Sequence, residues 1–301
     1  MCHEDFLFVR FMKKVTTYLY KIVNGLFELL YYLCIAGLAW IGMQVFVFAT
    51  FKIPSNSMQP TLWAGDNVLV LKPLIGARLF NLFSASGQTT VYRMPGLNKI
   101  KRNDVLVFHF PYPKGWNHIE MDLLLYYIKR CVGLPGDTLS IEKCQFYLNG
   151  EKERPVNIAA EEWLTTYGSK RKRNYDCFPL DSIFGWSEVD FGPMYIPAKG
   201  DSVVMSRTHY FLYRRLIEWE QQTRLQYRDS VCLLGDTPIT GYRFRHNYYF
   251  MAGDNRLHSE DSRRWGLVPE EYIVGKAVFI WKSVDPYTGR FRRKRFMKVI
   301  R

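Results

Sequence analysis

The chain has 301 residues, 48% of them hydrophobic and 16% aromatic, and a formal net charge of +13. That excludes a chain too polar to fold and leaves room for one or two domains with a real core. The basic excess does not by itself choose among a nucleic-acid surface, an anionic membrane surface and a merely soluble face.

The amino-terminal stretch Met1 to Lys21 carries Arg10, Lys13, Lys14 and Lys21 against Glu4 and Asp5, and Leu29 to Phe51 then run without a charge. Roughly 20 apolar residues suffice to cross a bilayer core. A cleaved secretory leader has a shorter apolar region that closes on small residues, whereas this one ends Val45-Phe46-Val47-Phe48-Ala49-Thr50-Phe51. We therefore expect a single retained transmembrane helix. Lysines and arginines are denser before it than just after it, where only Lys52 and Lys72 occur, so the amino terminus is expected in the cytoplasm and everything beyond Phe51 outside.

Immediately beyond lies Ile53-Pro54-Ser55-Asn56-Ser57-Met58-Gln59-Pro60-Thr61-Leu62. Each proline fixes its own φ and pushes the preceding residue towards an extended conformation, so the two serines occupy a stiff turn that can present a hydroxyl. An ordinary stalk after a membrane anchor reads the same way.

Further along, one small pattern occurs four times: a tight turn ending in Asp, then β-branched or aliphatic residues. The instances start at Gly65-Asp66, Asn103-Asp104, Gly136-Asp137 and Gly200-Asp201. Gly and Asn tolerate positive φ, Asp caps the turn, and the residues that follow suit a half-buried pleated surface. Tyr126 to Val132, Tyr248 to Ala252 and Val274 to Lys282 also read as strands. The expected fold is mostly β: one membrane helix (residues 1–51 with the cytoplasmic end), then a β-rich domain in two parts (52–141 and 246–301) around an inserted subdomain (142–245). Within the insert, Tyr210 to Leu225 has helical spacing. Pro73 to Asn98 reads as an extended hairpin or loop, and the charged segment Glu151 to Arg173 as surface. Arg290 to Arg301 is a basic tail that reads equally as a solvated end or a lipid contact.

Six cysteines show no CxxC or Cys/His spacing for a metal, and no cofactor is expected. Cys131, Cys144, Cys177 and Cys232 could form two bridges in an oxidising compartment, with pairing undetermined, although Cys131 reads as packed.

Chemistry enters with Tyr127-Ile128-Lys129-Arg130-Cys131-Val132-Gly133-Leu134-Pro135-Gly136-Asp137, which puts a lysine in an apolar strand. Alternation places Lys129 on one face with Tyr127 and Cys131, and Arg130 on the other. An exposed lysine, with a pKa of about 10.4, is no base at neutral pH, but burial among apolar neighbours lowers it, and a neutral lysine beside a serine forms a nucleophile–base pair. A lysine whose amine snorkels to solvent gives the same local pattern. A third stretch, Gly253-Asp254-Asn255-Arg256-Leu257-His258-Ser259-Glu260-Asp261-Ser262-Arg263, is a dense polar loop of the kind that braces a site through Asp/Arg pairs.

In this order, Pro-Ser-Asn-Ser-Met-Gln-Pro-Thr-Leu, Tyr-Ile-Lys-Arg-Cys-Val-Gly-Leu-Pro-Gly-Asp and the Gly-Asp-Asn-Arg…Ser-Glu-Asp-Ser-Arg loop resemble the type I signal peptidases, in the bacterial branch with a lysine base. Lys101 to Phe108 resembles a further strand motif of that family. The resemblance implies a membrane-bound endopeptidase that removes signal peptides from preproteins, with Ser57 as nucleophile and Lys129 as general base. It implies that Ser55 serves the oxyanion hole, that Ser259 orients Lys129, and that Asp254, Arg256, Asp261 and Arg263 form a supporting network. The implied partners are preprotein signal peptides and the lipid bilayer, with no nucleic acid, and the implied location is the cytoplasmic membrane with the catalytic domain on its outer side. Asn56 and Asn103 stand where the family usually has Gly, and Leu257-His258 where Asp-Asn is common. Asn tolerates the same left-handed backbone, while His258 is a rival base. A membrane-anchored basic binding protein and a Ser-Lys self-cleaving repressor are the competing classes. The first has no use for an apolar-strand lysine, and the second needs a DNA-binding domain where this chain has an anchor.

Overall fold

The computed structural model describes residues 2–80, 91–153, 177–181 and 183–300. The chain divides into two compact units, Met1–Val47 and Phe48–Arg301. The first is the helix α1 (Cys2–Phe46), whose 31-residue stretch Thr16–Phe46 is long and apolar enough to cross a membrane. The expected apolar run continued to Phe51. Instead Phe48–Lys52 is a strand, because its aromatic and β-branched residues find partners in the second unit, with Phe51 opposite Val68.

In the second unit, β1 (Phe48–Lys52) and β2 (Asp66–Leu71) flank the serine loop, and a short ribbon of β3 (Arg78–Phe80) and β4 (Val91–Arg93) follows. Then come β5 (Val105–His109), β6 (Tyr126–Gly133), β7 (Thr138–Glu142), β8 (Gln145–Leu148), β9 (Glu151–Lys152) and β10 (Phe191–Tyr195). The middle of the chain adds β11 (Ser202–Val204), the helix α2 (Arg207–Gln221), β12 (Leu225–Arg228), β13 (Val231–Leu234), β14 (Thr237–Ile239) and β15 (Gly241–Arg243). The end of the chain supplies β16 (Tyr248–Ala252), the short helix α3 (Ser262–Trp265), β17 (Val268–Pro269), β18 (Ile273–Ser283) and β19 (Lys298–Val299). The architecture is the expected mostly β one. The principal sheet is antiparallel in the order β1-β2-β18-β5-β6-β16-β17, with β19 also on β18. A second sheet, β10-β7-β8-β9, lies off it.

The four repeated turns share one construction. Gly65, Asn103, Gly136 and Gly200 all have positive φ, between 70° and 95°. The Asp that follows each accepts, on a side-chain oxygen, from the backbone N–H three residues earlier: Trp63 to Asp66, Lys101 to Asp104, Leu134 to Asp137 and Ala198 to Asp201. A carboxylate thus closes every turn before the chain enters a strand. Helix α2 starts earlier than the spacing suggested because Ser206 caps it, accepting from His209 N at 3.2 Å, and it ends at Gln222 in the left-handed conformation. Leu225, expected in the helix, belongs to β12.

Two apolar clusters cover the sheet. Val105 and Val107 of β5 join Ile53, Met58, Leu62, Val68, Val70 and Ile280 on one face, while Leu106 and Phe108 join Cys131, Phe250 and Tyr272 on the other. Strand β5 is therefore buried on both sides. Residues of 142–245, including Phe146, Phe191, Leu212, Tyr213 and Phe244, fill the second cluster. Cys131, Cys144, Cys177 and Cys232 are all buried thiols, and no disulfide links them. Of the segments singled out earlier, residues 81–90 of the hairpin and the part of Glu151 to Arg173 from residue 154 onward lie outside the described residues.

Asp66 is fully buried and accepts from Trp63 N, Ser283 Oγ at 2.6 Å and the Arg295 guanidinium at 2.5 Å. Asp66→Ala leaves that guanidinium buried without its counter-charge. The expected loss is about 3–5 kcal/mol of stability, read from urea unfolding of the full chain, and an unchanged midpoint would refute it.

Candidate active site

The serine loop is anchored by its apolar residues. Ile53, Met58 and Leu62 point into the core beneath β2, and Leu62 N bonds Met58 O at 2.9 Å. With those side chains inside, Ser55 is left exposed and Ser57 half-buried. Asn56 does not take the left-handed conformation expected of it; its Oδ1 instead accepts from Ala64 N at 3.0 Å and ties the loop to its own far end. Asn103, the other departure, does sit at φ 70°.

Lys129 lies in β6 opposite Leu106 of β5 and is buried, with 4% of its surface exposed. Its Nζ donates to Ser57 Oγ at 2.6 Å and lies 5.9 Å from the centre of the Tyr127 ring. Tyr127 is thus on the same face, as alternation required. Burial pulls the amine down from its ordinary 10.5 to about 8. The next influences oppose each other: the Asp261 carboxylate raises it and the Arg263 guanidinium lowers it. Snorkelling to water is excluded by this placement. Ser55 Oγ lies 3.3 Å from Ser57 Oγ, so a hydroxyl pair and an amine meet at one point.

The loop from Gly253 to Arg263 braces this point. Asp261 is fully buried and bonds Arg263 through two contacts of 2.8 Å, and its Oδ2 also accepts from Gly253 N at 3.0 Å. Burial would raise the Asp261 pKa, yet Arg263 and these hydrogen bonds hold it below the usual carboxylate value. Arg263 also donates to Arg256 O at 2.6 Å. Arg256 itself points elsewhere, over the Phe146 ring at 4.3 Å, and donates to Cys144 O. Asp254 takes both Nε and Nη2 of Arg130 at 2.7 Å, and the Thr61 hydroxyl donates to it. Arg130, on the far face from Lys129, therefore ties the lysine strand to the serine loop.

Ser259 is brought close without the hydrogen bond expected of it. Its Oγ is buried and has no partner, while Lys129 Nζ bonds Ser57. A side chain at Gly253 would meet Ser259 Oγ at 2.1 Å and Ser57 O at 2.6 Å, so only glycine lets the two loops come this near. Sequence reasoning missed Asn255, which grips the serine loop twice: its N–H donates to Ser57 O at 3.0 Å and its Nδ2 to Asn56 O at 3.2 Å. Thr61 was missed as well. The available signal for both was position alone, inside the quoted stretches. His258 is exposed, with Nδ1 3.3 Å from Asn255 Oδ1.

Ser55, Ser57 and Lys129 open onto a cleft of about 600 Å³. Phe51, Ile53, Val107, Tyr126 and Ile128 make its walls apolar, and His258 and Glu260 also line it. Phe51 and Tyr126 pack at 4.9 Å between ring centres. A neutral amine, two hydroxyls and an apolar groove can together accept a peptide, remove a hydroxyl proton and hold an acyl ester.

Known proteins resemble this chain over most of its length. Signal peptidase I of Buchnera aphidicola subsp. Schizaphis graminum is 32% identical over 251 residues, covering 81% of this chain and 70% of that protein. Signal peptidase I of Pseudomonas aeruginosa is 30% identical over 252 residues, covering 80% and 67%. A crystal structure of a signal peptidase I from Enterococcus faecalis V583 is 19% identical and covers 60% of this chain and 98% of that chain. Its TM-score is 0.28. The family described as signal peptidase, peptidase S26, matches residues 26–282. With that match spanning the serine loop, the lysine strand and the bracing loop, the chain belongs to the signal peptidase family and is a serine peptidase.

Proposed function

We propose that this peptidase is membrane-anchored and uses a Ser57–Lys129 dyad to remove N-terminal signal peptides from exported preproteins at the outer face of the cytoplasmic membrane. The observation that carries the reading is the 2.6 Å contact between Lys129 Nζ and Ser57 Oγ. In the proposed cycle the neutral amine takes the Ser57 proton while Oγ adds to the scissile carbonyl carbon. The negative charge that forms on the carbonyl oxygen meets the Ser57 backbone N–H and the Ser55 hydroxyl. As the C–N bond breaks, the leaving amine takes the proton from Lys129. The amine then activates a water molecule that hydrolyses the ester and frees Ser57. Ser259, with a buried hydroxyl still open to a partner, orients Lys129 once Ser57 has become an ester. Asp254, Asp261 and Arg263 hold the loops in register, and Arg256 extends that network through its carbonyl.

Substrate and location follow from the same parts. The apolar cleft suits an extended segment, and the family resemblance implies small side chains next to the cut. The helix Thr16–Phe46 supports a membrane anchor, and the excess of Lys and Arg before it supports a cytoplasmic amino terminus. Functionally we divide the chain into the anchor, the two catalytic β segments and the 142–245 insert, and assign no nucleic-acid role.

Ser57→Ala, Lys129→Ala and Lys129→Arg are each expected to lower kcat/KM on a model preprotein at least about 10⁴-fold, because the pair acts as a unit and guanidinium does not deprotonate. The wild-type kcat/KM should climb as pH rises through about 8, where the amine loses its proton. An acidic limb that disappears in His258→Ala would make His258 the base in place of Lys129.

Stability gives an independent check on the same amine. The folded state holds the Lys129 proton less tightly than the unfolded chain does, about 8 against 10.5, so unfolding takes up protons between those pH values. The penalty is complete below pH 8 and fades as pH rises to 10.5. Lys129→Met should therefore be inactive yet more stable by about 3 kcal/mol at pH 7, with the gain shrinking above pH 8. Denaturation midpoints of both proteins across that range test it.

A further inference from the structure

Residues 284–300 fold back over the loop that follows Ser57. Arg295 is buried, with its guanidinium on Asp66 and on Thr61 O at 2.8 Å. Arg292 donates to Ala64 O at 2.8 Å and to Asp285 at 2.8 Å. Both guanidinium groups lie over the Trp63 ring, at 4.9 Å for Arg295 and 5.4 Å for Arg292. Two arginines thus pin the segment down, which is not how a solvated tail behaves.

The other side chains of this pinned segment do the opposite. Arg290, Arg293, Lys294 and Lys298 are exposed. Between them Tyr287, Phe291, Phe296, Met297 and Val299 are exposed too, Tyr287 by 88%. Phe291 and Phe296 meet edge to face at 5.8 Å on the surface instead of in a core. Asp285 is the only acidic residue between positions 282 and 301, and Arg292 already holds it. Cations and apolar side chains alternating on an ordered, acid-free segment match the chemistry of a lipid–water interface, where rings sit among headgroups and ammonium groups meet phosphates.

We infer that the exposed side chains of residues 287–299 form a docking surface for an anionic lipid bilayer, so that this peptidase holds its membrane with its carboxyl-terminal segment as well as with its helix. The inference rests on the reading of the chain as membrane-anchored. Single-stranded nucleic acid would also welcome cations and rings, but it makes no use of Met297 and Val299. The surface is also wired to the site: Arg295 bonds Thr61, and the Thr61 hydroxyl bonds Asp254 of the bracing loop.

The experiment is amide hydrogen exchange on the full chain reconstituted in phosphatidylcholine vesicles, with and without 30 mol% phosphatidylglycerol as a probe composition at roughly physiological salt. Exchange over residues 287–299 should slow at least about fivefold on the anionic vesicles, while β12 to β14 stay unchanged. The triple variant Arg293→Gln, Lys294→Gln, Lys298→Gln keeps Arg292 and Arg295 and should lose that difference. Equal exchange on both vesicle types, in protein that floats with them, would overturn the surface alone. Failure to float with either would overturn the anchoring reading beneath it. Slowing by single-stranded DNA without any response to anionic lipid would also overturn the proposal.

Discussion

A primary amine kept out of water is the constraint on which the rest of this structure depends. Lys129 is buried, and burial of an ammonium is what a fold ordinarily avoids. The surrounding design reads as a way of keeping that amine dry while denying it a full counter-charge. Asp261 is near, but Arg263 claims it through two hydrogen bonds, so the carboxylate cannot restore the lysine to its ordinary pKa. On the far face of the same strand, Arg130 receives the complete ion pair that Lys129 is refused.

Holding Ser57 opposite this amine takes contacts from a loop almost two hundred residues away in sequence. Asn255 holds two carbonyls of the serine loop, Gly253 permits the close approach, and Asp254 joins Thr61 to Arg130. These are backbone and buried polar contacts, which fix geometry more narrowly than apolar packing does. Ser57 is thereby positioned by its neighbours on both sides: Met58 and Leu62 from the core, and Asn255 from above.

Much of this was legible in the residues, for identifiable reasons. A lysine in an apolar strand announces an energetic cost, two prolines around two serines announce a stiff loop, and Gly-Asp or Asn-Asp before aliphatic residues announces a turn. The role of Asn255 was not legible, since an asparagine in a polar loop is the commonest of residues and its partners are set by tertiary approach. The end of α1 was hidden because Val47 to Phe51 suits a bilayer and a sheet equally well, and only β2 decides. The hydrogen bond expected from Ser259 to Lys129 is not made, and no sequence spacing encodes whether two separate elements bring a hydroxyl and an amine within bonding reach. The order of the principal sheet, with β18 between β2 and β5, was likewise beyond reach, because nothing local pairs strands so far apart in the chain.

That strand order bears on how the protein is made. β18 lies far downstream of β2 and β5 in the chain, yet it occupies the middle of the principal sheet and bonds to both of them. Without residues 273–283, β2 and β5 have no partner between them, and the serine loop would meet the lysine strand only through polar contacts such as the Asp254 link between Thr61 and Arg130. Distant pairings of this kind close late and slowly. The principal sheet is therefore complete only when strands from the two ends of the β-rich domain have met, so the site of this peptidase depends on a long-range closure as much as on its own loops.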